Sequence, residues 1–315
     1  MHKISCVVIV VFIMLLLAGC YTNKQTEADA VKDYGFKLRK LPYDSLYHQF
    51  IKVSTAYDVS PTDSNRVQVF EWKGTKHYHP VQLAHRSLDL LSDYRLTTDA
   101  KYLNRAVKSA ETILSKAVRY QKSIYFPYTF DYNVLQKPEL ALKQPWYSGM
   151  AQGMLLSTFC RLYYVTHEKR YKAVADSILN SLAEFGTPYA PVFISEADSL
   201  GVGKGYYWID EYPHPTKIYV LNGSIIGAMG LYDHWRVFGD KKSKRLLSRE
   251  LTTIKDHVPL YRNVKDLSSY DLKYREKFAN YHQIHIELMQ NCYDITGDSY
   301  FLDMKRQLEA DVKKP

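Results

Sequence analysis

Four pairs of amphipathic segments, each joined by a short turn, limit what this chain of 315 residues can fold into more than any other feature. Their apolar residues recur at the i, i+3, i+4 and i+7 spacing of a helix face, as they do from Leu103 to Val118. Each turn holds a Thr or Gly and then an Asp or Glu that can cap the next helix, as in Gly239-Asp240. The predicted helices cover residues 80–95, 103–118, 148–165, 170–185, 224–238, 243–257, 281–295 and 300–312.

Helical hairpins that recur in this way bury their apolar faces by stacking on one another. The pattern therefore predicts a mainly α fold, an α/α toroid that is complete or partial. Three long extended segments precede first helices of hairpins, namely Ile124–Val134, Ala190–Tyr212 and Leu260–Tyr274, and the last two predict β-hairpins. Loops of this length in a compact domain are typical of functional sites. Because the first helices line the inside of an α/α toroid, the loops are expected to gather on one face, around one cleft.

The N-terminus has the features of a secretory signal. Lys3 precedes an apolar run from Val7 to Leu17, which is short for a transmembrane helix, and the run ends in Leu-Ala-Gly-Cys at Cys20. This ending resembles the lipobox of bacterial lipoproteins, which implies cleavage before Cys20 and acylation of its thiol. We expect a signal peptide at 1–19, a tether at 20–44 and one catalytic domain at 45–315. The protein would then be a membrane-anchored lipoprotein facing the periplasm or the cell exterior.

The composition limits the classes of molecule that the protein is expected to bind. The formal charge is +9, and 9 − 1 = +8 remain once the signal with Lys3 is removed. The basic residues are scattered and no nucleic-acid-binding motif is present, so an acidic polysaccharide is the expected partner rather than nucleic acid. Tyr accounts for 28 residues and Phe for only 12, which favours a wet, hydrogen-bonding groove over a purely apolar core. Cys160 and Cys292 lie on apolar helical segments, and their pairing is left open.

Each predicted inner helix is accompanied by a cluster of aromatic and polar residues. The clusters contain Tyr78; Trp146, Tyr147 and Gln152; Glu211, Tyr212 and Asn222; and Tyr270, Lys273, Tyr281, His282 and His285. Aromatic rings suit the apolar faces of sugars, and the free N–H groups of helix N-termini suit a carboxylate. His282 and His285 are spaced for a metal pair, but no third ligand motif accompanies them, so no metal site is predicted.

At these residues the chain resembles the D-glucuronyl C5-epimerases, in the helical catalytic domain that ends those proteins. The segment WYSGMAQG from Trp146 is similar to WYSAMAQG of that family, and EYP, VLNG and GLYD follow in the same order. YDLK at Tyr270 resembles the family's YDLR, with Lys273 in place of Arg; YHxxH at Tyr281 has the family's His spacing; and YHPVQLA resembles YPIQIA. The resemblance is concentrated between Trp146 and Gln290.

The resemblance implies inversion at C5 of a uronic acid within a polysaccharide, without a cofactor. Such a reaction needs a proton-transfer group on each face of the sugar and stabilisation of the carbanion. By motif, Tyr212, Tyr270 and Tyr281 are the implied catalytic residues, with Tyr212 and Tyr281 as the opposed pair. Glu211 would position sugar hydroxyls or tune Tyr212, and Lys273 would lie near the substrate carboxylate. His282 and His285 would orient Tyr281 or bind substrate, and the other cluster residues would bind substrate.

Three other functions remain open from the sequence. A polysaccharide lyase forms the same C5 carbanion but expels the O4 substituent. A glycoside hydrolase needs two facing carboxylates, whereas Asp210 and Glu211 are adjacent and would point apart on a strand. A glycan-binding lipoprotein without catalysis would keep only the scaffold. The sequence also leaves open the glycan, the membrane leaflet and the oligomeric state, a homodimer included.

Overall fold

A computed structural model describes residues 31–49, 51–53 and 60–312. Within this part the four predicted helical hairpins are all present, so the mainly α prediction is confirmed. The predicted signal peptide and Cys20 lie outside the described residues. The helices are α1 (Pro80–Thr97), α2 (Ala100–Leu114), α3 (Gly149–Thr166), α4 (Lys169–Ser181), α5 (Leu221–Phe238), α6 (Lys241–Tyr261), α7 (Ala279–Thr296) and α8 (Ser299–Val312).

The four turns between paired helices share one design. Each first helix ends in a residue in the left-handed conformation, with φ of 56° at Thr98, 58° at His167, 68° at Gly239 and 72° at Gly297. An acidic residue follows each of them. The side chains of Asp99, Asp240 and Asp298 accept hydrogen bonds from backbone N–H groups of the next helix, whereas the side chain of Glu168 makes no such bond. The predicted turn chemistry is thus confirmed in three turns of four.

The first helices of the hairpins pack against one another in chain order, and α3 and α5 make the most extensive contact. Glycines allow these two helices to approach backbone to backbone. A side chain at Gly153 would clash with the backbone of Gly227, and one at Gly230 would clash with the backbone of Gly153. The WYSGMAQG and GLYD segments therefore have a packing role, because each supplies a glycine to this crossing.

In the residues that the structure describes, eight short strands form four separate antiparallel pairs: β1 (Phe70–Trp72) with β2 (Thr75–His77), β3 (Val118–Tyr120) with β4 (Ser123–Tyr125), β5 (Tyr132–Asn133) with β6 (Ala141–Leu142), and β7 (Val192–Ile194) with β8 (Tyr207–Ile209). The hairpin predicted over 190–212 is confirmed, with Val192 opposite Ile209. The hairpin predicted over 260–274 is wrong. Helix α6 continues to Tyr261, and the residues after it form turns with isolated bridges at Ser269 and Asp271.

The predicted tether also needs correction, because its described part is bound to the domain. Backbone N–H groups of Lys32 and Arg39 donate to the carbonyls of Gly205 and Ile295, and the N–H of Leu41 donates to the hydroxyl of Tyr232. Residues 31–41 therefore form a strap over the later hairpins, and the domain begins before residue 45.

Two further sequence questions concern the helices. Cys160 and Cys292 are both buried and free, so the possible disulfide between them is not formed. Among the described residues, no helix combines the length and the apolar character needed to cross a membrane.

Candidate active site

The inner helices surround a cleft of about 750 Å³. Helices α1, α3, α5 and α7 each contribute side chains, and the segments before α1, α3 and α5 add further lining residues. Its aromatic and polar lining includes Tyr47, His48, His79, His85, Asp89, Tyr128, Phe130, Tyr132, Trp146, Glu211, Tyr212, Asn222, Asn280, Tyr281, Glu287 and Asn291. Two of the three predicted loop segments, 124–134 and 190–212, supply lining residues as the sequence predicted, whereas none of the described lining residues comes from 260–274.

Glu211 lies at the junction between β8 and the start of α5. Gly223 lets it approach the helix, since a Cβ at that position would overlap the Glu211 side chain. Glu211 is 8% exposed, and its Oε2 atom is buried with no hydrogen-bond partner among the described residues. The same holds for Oδ1 of Asn222, in the first turn of α5. Both residues line the cleft, and each keeps one buried acceptor atom without a hydrogen-bond partner in the described part of the chain.

Burial gives Glu211 an acid–base property suited to neutral pH. Loss of solvation and, to a smaller extent, the charge of Asp210 raise the pKa of its carboxyl to about 7, although hydrogen bonding to Tyr212 and Tyr270 lowers it in part. A carboxyl group with such a pKa can take up or release a proton near pH 7.

Tyr212, Tyr270 and Tyr281 form one contiguous cluster beside Glu211. The hydroxyl of Tyr270 lies 3.5 Å from that of Tyr212, and the ring centroids of Tyr270 and Tyr281 are 4.5 Å apart. Tyr212 and Tyr281 both line the cleft, whereas Tyr270 is buried and links them. Burial and the neighbouring Glu211 raise the pKa of all three phenols above the usual value of 10. At neutral pH these side chains are therefore proton donors rather than phenolate bases.

A wall of stacked rings continues from this cluster. The ring of Trp146 stacks on that of Tyr128 at a centroid distance of 3.8 Å and donates its Nε1–H to the carbonyl of Phe130. Tyr132 stacks on both Trp146 and Tyr212. Trp146, predicted to bind substrate, lines the cleft, and the wall presents ring faces of the kind that pack against sugars.

Three residues predicted to bind substrate are not among the residues that line the cleft. Tyr147 packs instead against Tyr125 and Tyr189. Gln152 is fully buried and holds the Phe126 segment in place through its side-chain amide, and it also donates to Ser181. Tyr78 donates its hydroxyl to Asp63. Motif position placed these residues near the site, but their packing partners hold all three side chains away from the cleft.

The two histidines of the YHxxH segment have structural partners. His282 accepts a hydrogen bond at Nδ1 from the backbone N–H of Ser268, and its Nε2 lies 3.1 Å from the carbonyl of Leu308. The Ser268 hydroxyl also bonds Nδ1 of His285. Both rings are buried behind the cleft and do not line it, so the predicted substrate contact is corrected. They anchor the turn that leads to Tyr270 and thereby position that tyrosine.

Lys273 is a further residue that was predicted to bind substrate and does not line the cleft. It is exposed, it is not a lining residue, and its Nζ lies 6.0 Å from the ring centroid of Tyr274. In the described part of the chain, no Lys or Arg lines the cleft.

Sequence reasoning missed the opposite side of the cleft. His85 and Asp89 lie one turn apart on α1, and His48 approaches them from the N-terminal segment. Burial lowers the pKa of His85 to about 4, and burial together with Asp93 raises the pKa of Asp89 to about 6. The i, i+4 spacing of His85 and Asp89 on a predicted inner helix was a usable signal. His48 gave none, because no periodic pattern covers its segment.

The chain was compared with known proteins by sequence. The family model described as "D-glucuronyl C5-epimerase C-terminus" matches residues 120–310, well over half of the chain. A D-glucuronyl C5-epimerase of Caenorhabditis elegans is 25% identical over 170 residues, which are 48% of this chain and 26% of that protein. The match therefore spans only about a quarter of this relative.

Solved structures show similarity of fold. A sugar epimerase from a ruminal bacterium superimposes with a TM-score of 0.53 at 16% identity, over 75% of this chain and 59% of that one. The cellobiose 2-epimerase of Bacillus thermoamylovorans gives 0.51 at 15% identity, over 73% and 58% of the two chains. The stacked hairpins are thus those of an α/α toroid.

Proposed function

Because the chain belongs to the family described as "D-glucuronyl C5-epimerase C-terminus", we propose that it inverts C5 of a uronic acid residue, of the D-glucuronate to L-iduronate type, in an acidic polysaccharide. The family membership confirms the resemblance found in the motifs. The observation that carries the proposal is the position of Glu211, a carboxyl group with a pKa of about 7 at a cleft wall, beside three tyrosines.

The electrostatics favour Glu211, rather than Tyr212, as the base on one face of the sugar. Hydrogen at C5 is acidic because C5 carries the carboxylate, and its removal leaves charge that must be stabilised. The carboxylate of Glu211 is available at neutral pH, whereas the raised pKa of Tyr212 keeps that phenol protonated. Tyr212 would then donate a hydrogen bond to one oxygen of the sugar carboxylate as charge develops there, and Tyr270, buried behind it, would support Tyr212 through its own hydroxyl.

Tyr281 is the proposed proton donor for the opposite face. It lines the same cleft, and Tyr270 connects it to the Glu211 side. In one turnover Glu211 takes the proton from C5 and Tyr281 delivers its own proton to C5 from the other side. The protonated Glu211 and the Tyr281 phenolate return to their starting states by proton exchange with solvent in the open cleft. No bond of the polysaccharide backbone breaks.

The test incubates the full chain with a panel of uronate polysaccharides in heavy water. We expect deuterium at C5 without chain cleavage, and a loss of about 10²- to 10⁴-fold in that exchange for Glu211→Gln. A new absorbing double bond would instead show a lyase. New reducing ends without that double bond would show a hydrolase, and binding without exchange would show a glycan-binding protein.

The proposal also includes a membrane anchor and the side of the membrane on which the enzyme lies. Acylation at Cys20 would anchor it to a membrane on the extracytoplasmic side, where polysaccharide is accessible. Mass spectrometry of the mature N-terminus decides this, because an unmodified Cys20 would contradict it.

A further inference from the structure

The histidine side of the cleft, defined as His48, His85 and Asp89, has the geometry of a metal site. One ligand atom from each of the three residues can be chosen so that all lie within 4.8 Å of one another. His48 Nδ1 and Asp89 Oδ1 are 4.0 Å apart, which is too long for a hydrogen bond between them. Ligand atoms around a tetrahedral zinc ion, with bonds of about 2.0–2.1 Å, are about 3.3 Å apart. Small side-chain rotations would therefore close the three groups onto one ion.

Two independent segments of the chain bring these ligands together. His85 and Asp89 are four residues apart on α1 and so share one helix face. His48 comes from the N-terminal segment and has a φ of 54°, in the left-handed region that non-glycine residues rarely adopt. Its neighbour Tyr47 is fixed by hydrogen bonds to Ser157 and from Arg161. Buried contacts thus hold an uncommon backbone conformation that directs an imidazole into the cleft.

The charge of the cleft gives a reason for a cation there. Its described lining carries three carboxyl groups, those of Asp89, Glu211 and Glu287, and includes no Lys or Arg. A polyanionic substrate would meet unfavourable charge in such a cleft unless a cation were bound. Two imidazoles and one carboxylate form a ligand set typical of zinc, iron and related divalent ions in sites that keep coordination positions open.

We propose that His48, His85 and Asp89 bind one divalent transition-metal ion on the histidine side of the cleft. Resting on the proposed function, a second step follows: the ion supplies the positive charge that receives the substrate carboxylate. Its role is to bind and orient the anion, and the proton transfers remain with Glu211 and Tyr281.

The test titrates cobalt(II) into the untagged, chelator-treated full chain and follows the visible absorption of the bound ion. We expect one cobalt per chain, displaced by zinc. His85→Gln and Asp89→Asn should weaken binding by at least about 100-fold, since even the loss of partners behind a ligand costs 10- to 100-fold. The matched controls His77→Gln, outside the cluster, and Glu287→Gln, in the same cleft, should bind as the unchanged protein does.

Equal cobalt affinity in all four variants, or no binding by the unchanged protein, would overturn the metal proposal. If the substitutions on α1 prevent folding, as circular dichroism would show, His48→Gln in the N-terminal segment provides the same test without touching a helix. C5 deuterium exchange is measured in parallel with and without zinc. Exchange without metal binding would overturn the metal site alone, whereas metal binding without exchange under any condition would overturn the epimerase proposal alone.

Discussion

The two sides of the cleft differ in how the chain builds them. The tyrosine side, consisting of Glu211, Tyr212, Tyr270 and Tyr281, is placed at loop-to-helix junctions of the third and fourth hairpins. The histidine side draws two ligands from the middle of α1 and one from the N-terminal segment. The first side holds proton donors and an ionisable carboxyl group, and the second holds a set of metal-binding groups. Under the two proposals, proton transfer and binding of the substrate charge would belong to separate structural units.

The family match covers the tyrosine side of the cleft but not the histidine side. It covers residues 120–310, which include the whole tyrosine side, and it begins after α1 and α2. The proposed proton chemistry is thus supported by the family, whereas the histidine side rests on the geometry of this chain alone. The experiments below ask whether the two sides act separately.

The largest effect is expected for Tyr281→Phe, which removes the proposed proton donor and retains the ring. C5 deuterium exchange should fall by about 10²- to 10⁴-fold while polysaccharide binding and cobalt binding stay unchanged. Tyr147→Phe is the matched control, because Tyr147 packs outside the cleft against Tyr125 and Tyr189 and should keep full exchange. Equal exchange rates for the two variants would remove Tyr281 from the mechanism.

The next effect is a pH dependence that belongs to the tyrosine side. The folded pKa of Glu211, about 7, exceeds its ordinary value of 4.5, so the native state holds the proton more tightly than the unfolded state. The associated stability is fully present below pH 4.5 and is lost as the pH rises through 7, up to about 3 kcal/mol. Urea unfolding at pH 5 and pH 8 should show this loss, and Glu211→Gln should reduce it.

The rate should respond to pH in the opposite sense to stability. As the proposed base, Glu211 must be unprotonated, so C5 exchange should rise with pH and level off above about 7. A rate that falls over the same range would assign the base to another group.

A third effect comes from the glycine crossing of α3 and α5. Gly153→Ala places a methyl group against the backbone of Gly227, which should lower the free energy of unfolding by about 2 kcal/mol. Because α5 begins beside Glu211, exchange should fall as well, while cobalt binding on α1 should persist. Simultaneous loss of exchange and cobalt binding in folded protein would show that the two sides are not separate.

The sequence predicted the hairpins well because local physics determines them. Apolar periodicity and capping residues act within one or two turns, so Asp99 and Gly297 could be interpreted without tertiary information. The β-hairpin predicted over 260–274 failed in part because the local signal misleads: Pro259 usually marks a helix end, but α6 continues past it to Tyr261, whose side chain is buried.

The site was predictable only where a motif residue also faces the cleft. Glu211 and Tyr212, in the loop before α5, and Asn222 and Tyr281, in first turns of helices, do so and line the cleft. Gln152 does not, because it lies on a face of α3 that meets the Ile124 segment rather than the cleft. The association of His48 with α1 depends on long-range packing through Arg161, which a single sequence does not reveal.

The smallest effect is expected for Lys273→Ala. This variant tests the role predicted from the YDLK segment against the position of the side chain in the structure. The YDLK segment predicts that this lysine lies near the substrate carboxylate, but the side chain is exposed and does not line the cleft. An exposed substitution changes energies by about 0.5 kcal/mol or less, so KM for the polysaccharide should change by no more than about twofold. A tenfold rise in KM would mean that the loop carrying Lys273 closes over bound substrate. The positive charge for the carboxylate would then come from the tyrosine side, and the metal would lose its proposed part in substrate binding.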